Sequence, residues 1–226
     1  MSALARIAMM AEMHGRDLLR RHIAVALLVA IPLSFYLASH GAGTDAVPTG
    51  GIGMAFAVSG ATLFSAMSSL AVDQRLVMGG YRPVELLLGR LLFLGPMGLV
   101  IAAVFAALMS GVSHPARPVL LGVAVGVVAL QSVPFGLAVA AVAPRELEGT
   151  LIVIGVVGIQ MATHGEGVVS RLLPFYGPRR LIDVAVSGIG SVAGPLLQTA
   201  LYGLGLFVLA RIFVGNRLVV RRRTPG

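Results

Sequence analysis

Six long stretches of this 226-residue chain contain no charged residue, and they limit its fold more than any other feature. A helix that crosses the ~30 Å hydrocarbon layer of a membrane needs roughly 20 mainly apolar residues. With their glycine-, proline- and serine-rich ends trimmed, the stretches predict transmembrane spans at residues 23–39, 51–72, 91–110, 119–143, 151–164 and 192–214. The fifth is short, which predicts a tilted or partly re-entrant helix. Only 12% of the residues are charged, whereas a soluble domain has about 25%, which argues against a water-soluble globule.

The positive charges are divided unevenly between the two sides of these predicted spans. All 17 basic residues are arginine, and thirteen of them fall on the side of the amino terminus. The opposite side holds Arg117, Arg171, Arg179 and Arg180. Cytoplasmic loops carry the excess of basic residues, so we expect both termini in the cytoplasm of a multi-pass protein of the cell (inner, cytoplasmic) membrane. The first apolar stretch follows a charged segment without a convincing cleavage site, so the first span is predicted to be retained.

One membrane domain is predicted over residues 1–226, with an interfacial helix at 1–22, six membrane helices within 23–214 and a basic tail at 215–226. At 100° per residue, residues 4–21 form an amphipathic helix. Its apolar side holds Leu4, Ile7, Ala8, Ala11, Leu18 and Leu19. Its polar side holds Arg6, Glu12, Arg16, Asp17, Arg20 and Arg21. Such a helix is expected to lie on the cytoplasmic membrane surface, either as an anchor or as a part that transmits force.

Small residues recur every four positions in the second span and more briefly in the fourth. They are Gly53, Ala57, Ala61, Ser65 and Ser69, followed by Gly122 and Gly126. Small side chains let helices approach closely, so packing within the chain is the favoured interpretation. A subunit interface or a translocation seam is the alternative.

The polar residues within the predicted spans are the candidates for a translocation path. They are Ser65, Ser68, Gln131, Gln160, Thr163 and His164. Each of them also suits a hydrogen bond between helices. None is a carboxylate, which argues against a proton- or cation-coupled carrier. A mostly apolar path suits a hydrophobic or amphipathic compound.

Missing residue types exclude several kinds of chemistry. The sequence has no lysine and no cysteine, which excludes a phosphate-loop lysine, a Schiff-base lysine, disulfides and cysteine-ligated metal sites. No His-Glu-x-x-His or Gly-x-Ser-x-Gly motif is present, and His164 with Glu166 supplies too few ligands for a metal. We therefore predict a non-enzymatic chain without cofactor or metal. The arginines at 221–223 are interpreted as the cytoplasmic end of the last span, not as a nucleic-acid site.

Residues 73–90, hereafter the 73–90 segment, join the second and third spans on the predicted cytoplasmic side. Gly79-Gly80 predicts a break between two helices, and Pro83 suits the first turn of the second. The turn Gly80-Tyr-Arg-Pro83, followed by Glu85-Leu-Leu-Leu-Gly-Arg90, resembles the cytoplasmic coupling region of ABC-2 type transporter permeases. The loop at 144–150 and the Leu-Pro-aromatic segment at 172–183 are similar to that family's second cytoplasmic loop and extracellular helices.

This resemblance implies an all-α fold with an amphipathic amino-terminal surface helix, six transmembrane helices and a short extracellular helical elbow between the fifth and sixth. It further implies a permease homodimer or heterodimer in the lipid bilayer that exports a drug-like, natural-product or lipid-like compound. ATP and Mg would be bound by a separate ABC ATP-binding subunit. The side chains expected to contact that subunit are Asp73, Arg75, Tyr81, Arg82, Pro83, Glu85, Arg145 and Glu146. The alternatives are a membrane component similar to the haem exporter of cytochrome c maturation, a non-transporting scaffold or assembly protein, and, for this segment, a solvated loop.

Overall fold

The computed structural model describes residues 3–20, 22–41, 46–163 and 167–218. Over these residues the chain forms ten helices and no strand, which confirms the all-α prediction. The helices are α1 (Ala3–Arg20), α2 (His22–Gly41), α3 (Ala46–Ser68), α4 (Leu70–Met78), α5 (Pro83–Ser113), α6 (Pro118–Val142), α7 (Glu146–Ala162), α8 (Val168–Arg171), α9 (Tyr176–Ser187) and α10 (Ala193–Leu218).

The helix boundaries follow local sequence chemistry. Both α5 and α6 begin with a proline, Pro83 and Pro118, which lacks the N–H that a first helical turn leaves unpaired. Gly80 has a φ of +95° in the turn before α5, a conformation that glycine adopts without a side-chain clash. The predicted break at Gly79-Gly80 is therefore confirmed.

Four helices, α3, α5, α6 and α10, are long and apolar enough to cross a membrane. This indicates a multi-pass helical membrane protein. Each of the six predicted spans overlaps a helix, although the second extends beyond the end of α3 at Ser68 and its residues 70–72 belong to α4. Within the described residues, these four helices meet the length and composition that a span requires, and Ala26–His40 of α2 is a further apolar stretch. Helix α7 has 17 residues, or about 25 Å. Membrane crossing by α2 and α7 stays a prediction.

The six long helices alternate in direction, so the bundle has two ends that differ in charge. The Arg-rich end holds α1, α4, the start of α5 and of α7, and the last turns of α6 and α10. The Arg-poor end holds the α5–α6 turn, α8, α9 and the start of α10, with Arg117, Arg171, Arg179 and Arg180. This placement matches the uneven division of arginines in the sequence.

Helix α6 lies at the centre of the bundle, packed against α3, α5, α9 and α10. It crosses α3 at Gly136, where a Cβ would lie 2.5 Å from the carbonyl oxygen of Ser59. The small residues of α3 also allow close helix packing at Gly53, which contacts Phe35 and Pro32 of α2. Packing within the chain is therefore the role of the stripe at this position, in line with the favoured interpretation.

The segment between α7 and α10 is the one in which a short helical elbow was predicted. Its helical character is confirmed by α8 and α9, but α9 packs against α6 and α10 with Leu181 and Ile182 fully buried. The carbonyl of Pro174 accepts a hydrogen bond from Gln131, near the middle of α6. The apolar face of α9 is thus buried against the bundle, as an amphipathic helix requires. Helix α7 is continuous over its 17 residues, and its tilt or re-entry relative to a membrane stays a prediction.

Candidate functional site

The 73–90 segment is held to the bundle by a buried ion pair at the Arg-rich end. Arg90 of α5 donates to Asp73 Oδ2 of α4 at 2.5 Å and also to the hydroxyl of Ser69. Both charged side chains are about 2–3% exposed. Burial raises the pKa of the Asp73 carboxyl, while the charge of Arg90 and its hydrogen bond oppose that rise. The pair links α4 to the start of α5.

A second ion pair ties α1 to the start of α5. Arg6 donates to Glu85 Oε1 from Nε at 3.1 Å and from Nη2 at 2.6 Å. Glu85 Oε2 accepts the backbone N–H of Arg82 at 3.0 Å, which satisfies one of the unpaired donors in the first turn of α5. The Arg6 guanidinium also lies 5.9 Å from the ring centre of Tyr81, a cation–π distance. Arg6 was predicted on the polar side of α1, and in the structure its side chain contacts Glu85 of α5.

The predicted contact residues therefore fall into two groups. Asp73 and Glu85 are buried in ion pairs within the chain, and Tyr81 and Pro83 are partly buried. Exposed charged side chains are Arg75, Arg82, Arg145 and Glu146. Within the described part of the chain, none of these four takes part in an ion pair. All four lie at the Arg-rich end, where a partner protein could contact them.

The sequence patterns did not indicate the contacts that Arg6, Ser69 and Arg90 make. One signal was available, because Arg90 is the only charged residue between Glu85 and Arg117. A lone cation at the edge of an apolar helix needs a partner. That partner is Asp73, 17 positions earlier in the sequence, and the contact depends on how α4 is placed next to the start of α5.

A largely apolar cavity of about 300 Å³ lies between α2, α3 and α7, hereafter the α2–α3–α7 cavity. Ser65, Ser68, Thr150 and Glu146 line its Arg-rich end. The rest of the lining is apolar, with Leu27 and Phe64 at 50% and 45% exposed. The cavity is therefore accessible from the side of the bundle, and one of the four exposed charged side chains, Glu146, lies at its Arg-rich end.

The candidate path residues do not all meet at one place. Ser65 and Ser68 line the α2–α3–α7 cavity, but Gln131, Gln160 and Thr163 do not. Gln131 donates to Pro174, and Thr163 donates to the carbonyl of Ile159 at 2.9 Å. The Gln160 side chain is fully buried, with no hydrogen-bond partner among the described residues. His164 lies outside the described residues.

The predicted interfacial helix is present as α1, which packs along the first half of α5. Arg16 and Glu12, both on the predicted polar side, form an exposed ion pair at 2.7 Å. The side chains of Asp17 and Arg20, and all of Arg21, lie outside the described residues. Gly89 brings the two helices together, because a Cβ there would lie 2.6 Å from the Cβ of Met10.

The two ion pairs of α1 should differ in energetic coupling. In a double-mutant cycle with Arg6→Gln and Glu85→Gln, we expect a clearly favourable coupling energy, because both groups are partly or fully withdrawn from water. The exposed Glu12–Arg16 pair should give a value close to zero in the matched cycle. Unfolding of the purified chain in detergent micelles measures both. Equal coupling in the two cycles would contradict a role for Arg6 in holding α1.

Neither a known protein family nor a curated protein matches this chain. The structure establishes an all-helical chain over the described residues, with four helices long and apolar enough to cross a membrane.

Proposed function

We propose that this chain is the membrane-embedded permease subunit of an ABC-type exporter, with ATP hydrolysed by a separate subunit. The observation that most supports the proposal is the set of exposed charged side chains at the Arg-rich end, Arg75, Arg82, Arg145 and Glu146, of which Glu146 also lines the α2–α3–α7 cavity. The absence of lysine agrees with it, because a phosphate-loop ATPase in this chain would need one. The resemblance of the 73–90 segment to the ABC-2 coupling region points to the same kind of partner.

The two ion pairs supply a route by which a partner could move the membrane helices. Force applied near Arg82 would reach α5 directly, α4 through Asp73–Arg90 and α1 through Glu85–Arg6. Helix α5 has 31 residues, or about 46 Å, and packs on the central α6. A push at the Arg-rich end would thus shift the packing at the far end, as a switch between two helix arrangements requires.

We propose a hydrophobic or amphipathic compound as the transported substrate. The α2–α3–α7 cavity is lined mainly by leucine, isoleucine, phenylalanine, valine and alanine, and its polar groups stand at one end. Such a lining accepts an apolar body and orients one polar group. In this proposal six helices cross the cell membrane, two copies or two related chains form the permease, and both termini are cytoplasmic.

The haem-exporter-like alternative is less well supported by this cavity. Haem iron is held in proteins by histidine, methionine, cysteine or tyrosine side chains. The described residues that line the cavity include none of these four types. A cavity for an amphipathic compound without a metal therefore fits the residues better.

The proposal predicts that an ATP-binding subunit copurifies with the chain from membranes in mild detergent. Mass spectrometry should identify it in stoichiometric amount, and the complex should hydrolyse ATP. Reversing the exposed charge in Arg82→Glu should reduce copurification several-fold without reducing insertion. Arg117→Glu, an exposed site at the Arg-poor end, is the matched control and should copurify normally.

Recovery of the chain alone, without ATPase activity in several detergents, would overturn the proposal and favour a scaffold or assembly protein. Unchanged copurification in Arg82→Glu would place the partner elsewhere than on the 73–90 segment.

A further inference from the structure

A polar cavity of about 550 Å³ lies at the Arg-poor end, between α9, the turn at 188–192 and the first turns of α10. We call it the α9–α10 vestibule. Its polar lining consists of Arg171, Tyr176, Arg180, Asp183, Ser187, Ser191 and Gln198. No step of the proposed transport mechanism uses it. The lining contains two guanidinium groups and one carboxylate, so its formal charge is positive.

Several contacts give the vestibule a defined shape. Gln198 of α10 donates to the carbonyl of Arg171 at 2.9 Å, and Tyr202 donates to the next carbonyl, that of Leu172, at 2.7 Å. These bonds hold the backbone at Arg171 against α10. Arg180 is held because α9 is anchored in the bundle through its neighbours Leu181 and Ile182.

The start of α10 adds to the positive potential. Helix α10 has 26 residues, and its first turn lines the vestibule with Gly194 and Pro195. Pro195 has no N–H and Leu196 donates to the carbonyl of Val192 at 3.1 Å, so the helix dipole, together with the N–H groups that precede Pro195, makes this first turn favourable for an anion. Together with Arg171 and Arg180, it favours an anionic oxygen group such as phosphate.

An exposed apolar stripe begins beside the vestibule and continues down α10. Leu197, Leu201 and Leu204 are 63%, 62% and 62% exposed, and Val208 is 45% exposed. Their spacing of four, three and four residues places them on one helix face. The stripe runs towards the Arg-rich end, in the direction that acyl chains take from a headgroup.

We propose that the α9–α10 vestibule and this stripe bind an anionic phospholipid of the leaflet at the Arg-poor end. The phosphate would lie between Arg171, Arg180 and the first turn of α10, and the acyl chains would lie along Leu197, Leu201 and Leu204. Charge complementarity selects the headgroup, and the continuous apolar face selects a lipid over a free anion. The site would hold α9 against α10 whether or not an ATPase partner is bound, so it is independent of the proposed function.

Native mass spectrometry of the full chain in detergent tests this assignment. Phosphatidylglycerol should bind at least about tenfold more tightly than phosphatidylcholine with the same acyl chains, because the choline group meets the two arginines. The double variant Arg171→Gln/Arg180→Gln should lower phosphatidylglycerol affinity about tenfold, in line with the loss of charged hydrogen bonds. Arg211→Gln, an exposed arginine at the other end of the same helix, should leave the affinity unchanged.

Two further measurements locate the lipid and distinguish it from a free anion. A photoreactive phosphatidylglycerol added to the unaltered chain should label peptides within 171–208, which requires no substitution. Inorganic phosphate should bind far more weakly than the lipid. Labelling elsewhere, equal loss of affinity in Arg211→Gln, or phosphate binding as tight as that of phosphatidylglycerol would each overturn the lipid assignment.

Discussion

Replacing Arg90 with methionine should lower the free energy of unfolding by about 3–5 kcal/mol, the range for removing one partner of a buried ion pair. The substitution leaves Asp73 as an unpaired carboxylate that is almost fully withdrawn from water. A denaturant titration of the purified chain in mixed micelles measures the change. Because the isolated carboxyl has a raised folded-state pKa, its contribution to stability is present at low pH and is lost as pH rises through that pKa. The deficit of Arg90→Met should therefore shrink on acidification.

The matched variants separate the buried charge from loss of packing. In Asp73→Leu/Arg90→Met no buried charge remains, so most of the stability should return. Glu12→Gln, which breaks the exposed pair on α1, should change stability by less than about 0.5 kcal/mol. A double variant no more stable than Arg90→Met would show that packing around the long side chain, and not the charge, carries the effect.

Replacing Gly136 with alanine should lower the free energy of unfolding by about 1–3 kcal/mol, the usual effect of overpacking. The added Cβ would lie 2.5 Å from the Ser59 carbonyl oxygen and 2.8 Å from the Thr62 Cβ. The oxygen belongs to the backbone of α3, so relief requires the two helices to move apart. The same titration measures this change.

Gly122→Ala is the control for Gly136→Ala because it lies on the same helix, with nothing within 4 Å of the added Cβ. There the substitution should leave stability unchanged or raise it by up to about 1 kcal/mol, since alanine favours the helical backbone. Equal effects at both positions would mean that the α3–α6 approach at Gly136 does not limit stability. A large loss of stability in Gly136→Ala alone would show that α6 needs a glycine where it crosses α3.

The sequence alone determined the helices, several of their boundaries and the division of charge between the two ends. Charge-free stretches predicted the positions of six helices, Gly79-Gly80 predicted the break, and Pro83 predicted the next helix start. These features are local, because each helix satisfies its own backbone hydrogen bonds. The arginine distribution is also kept in the folded chain, since the order of the helices sets which loops share an end.

The tertiary structure alone decided which polar groups meet. Arg6 and Glu85 are 79 positions apart, Gln131 and Pro174 are 43 apart, and the α9–α10 vestibule combines three separate segments. The helices of this bundle are apolar on most sides, so hydropathy does not specify how each one is rotated against its neighbours. Rotation and register follow from close packing at positions such as Gly53, Gly89 and Gly136. Tertiary packing also decided the position of α9, whose apolar face is buried against α6 and α10.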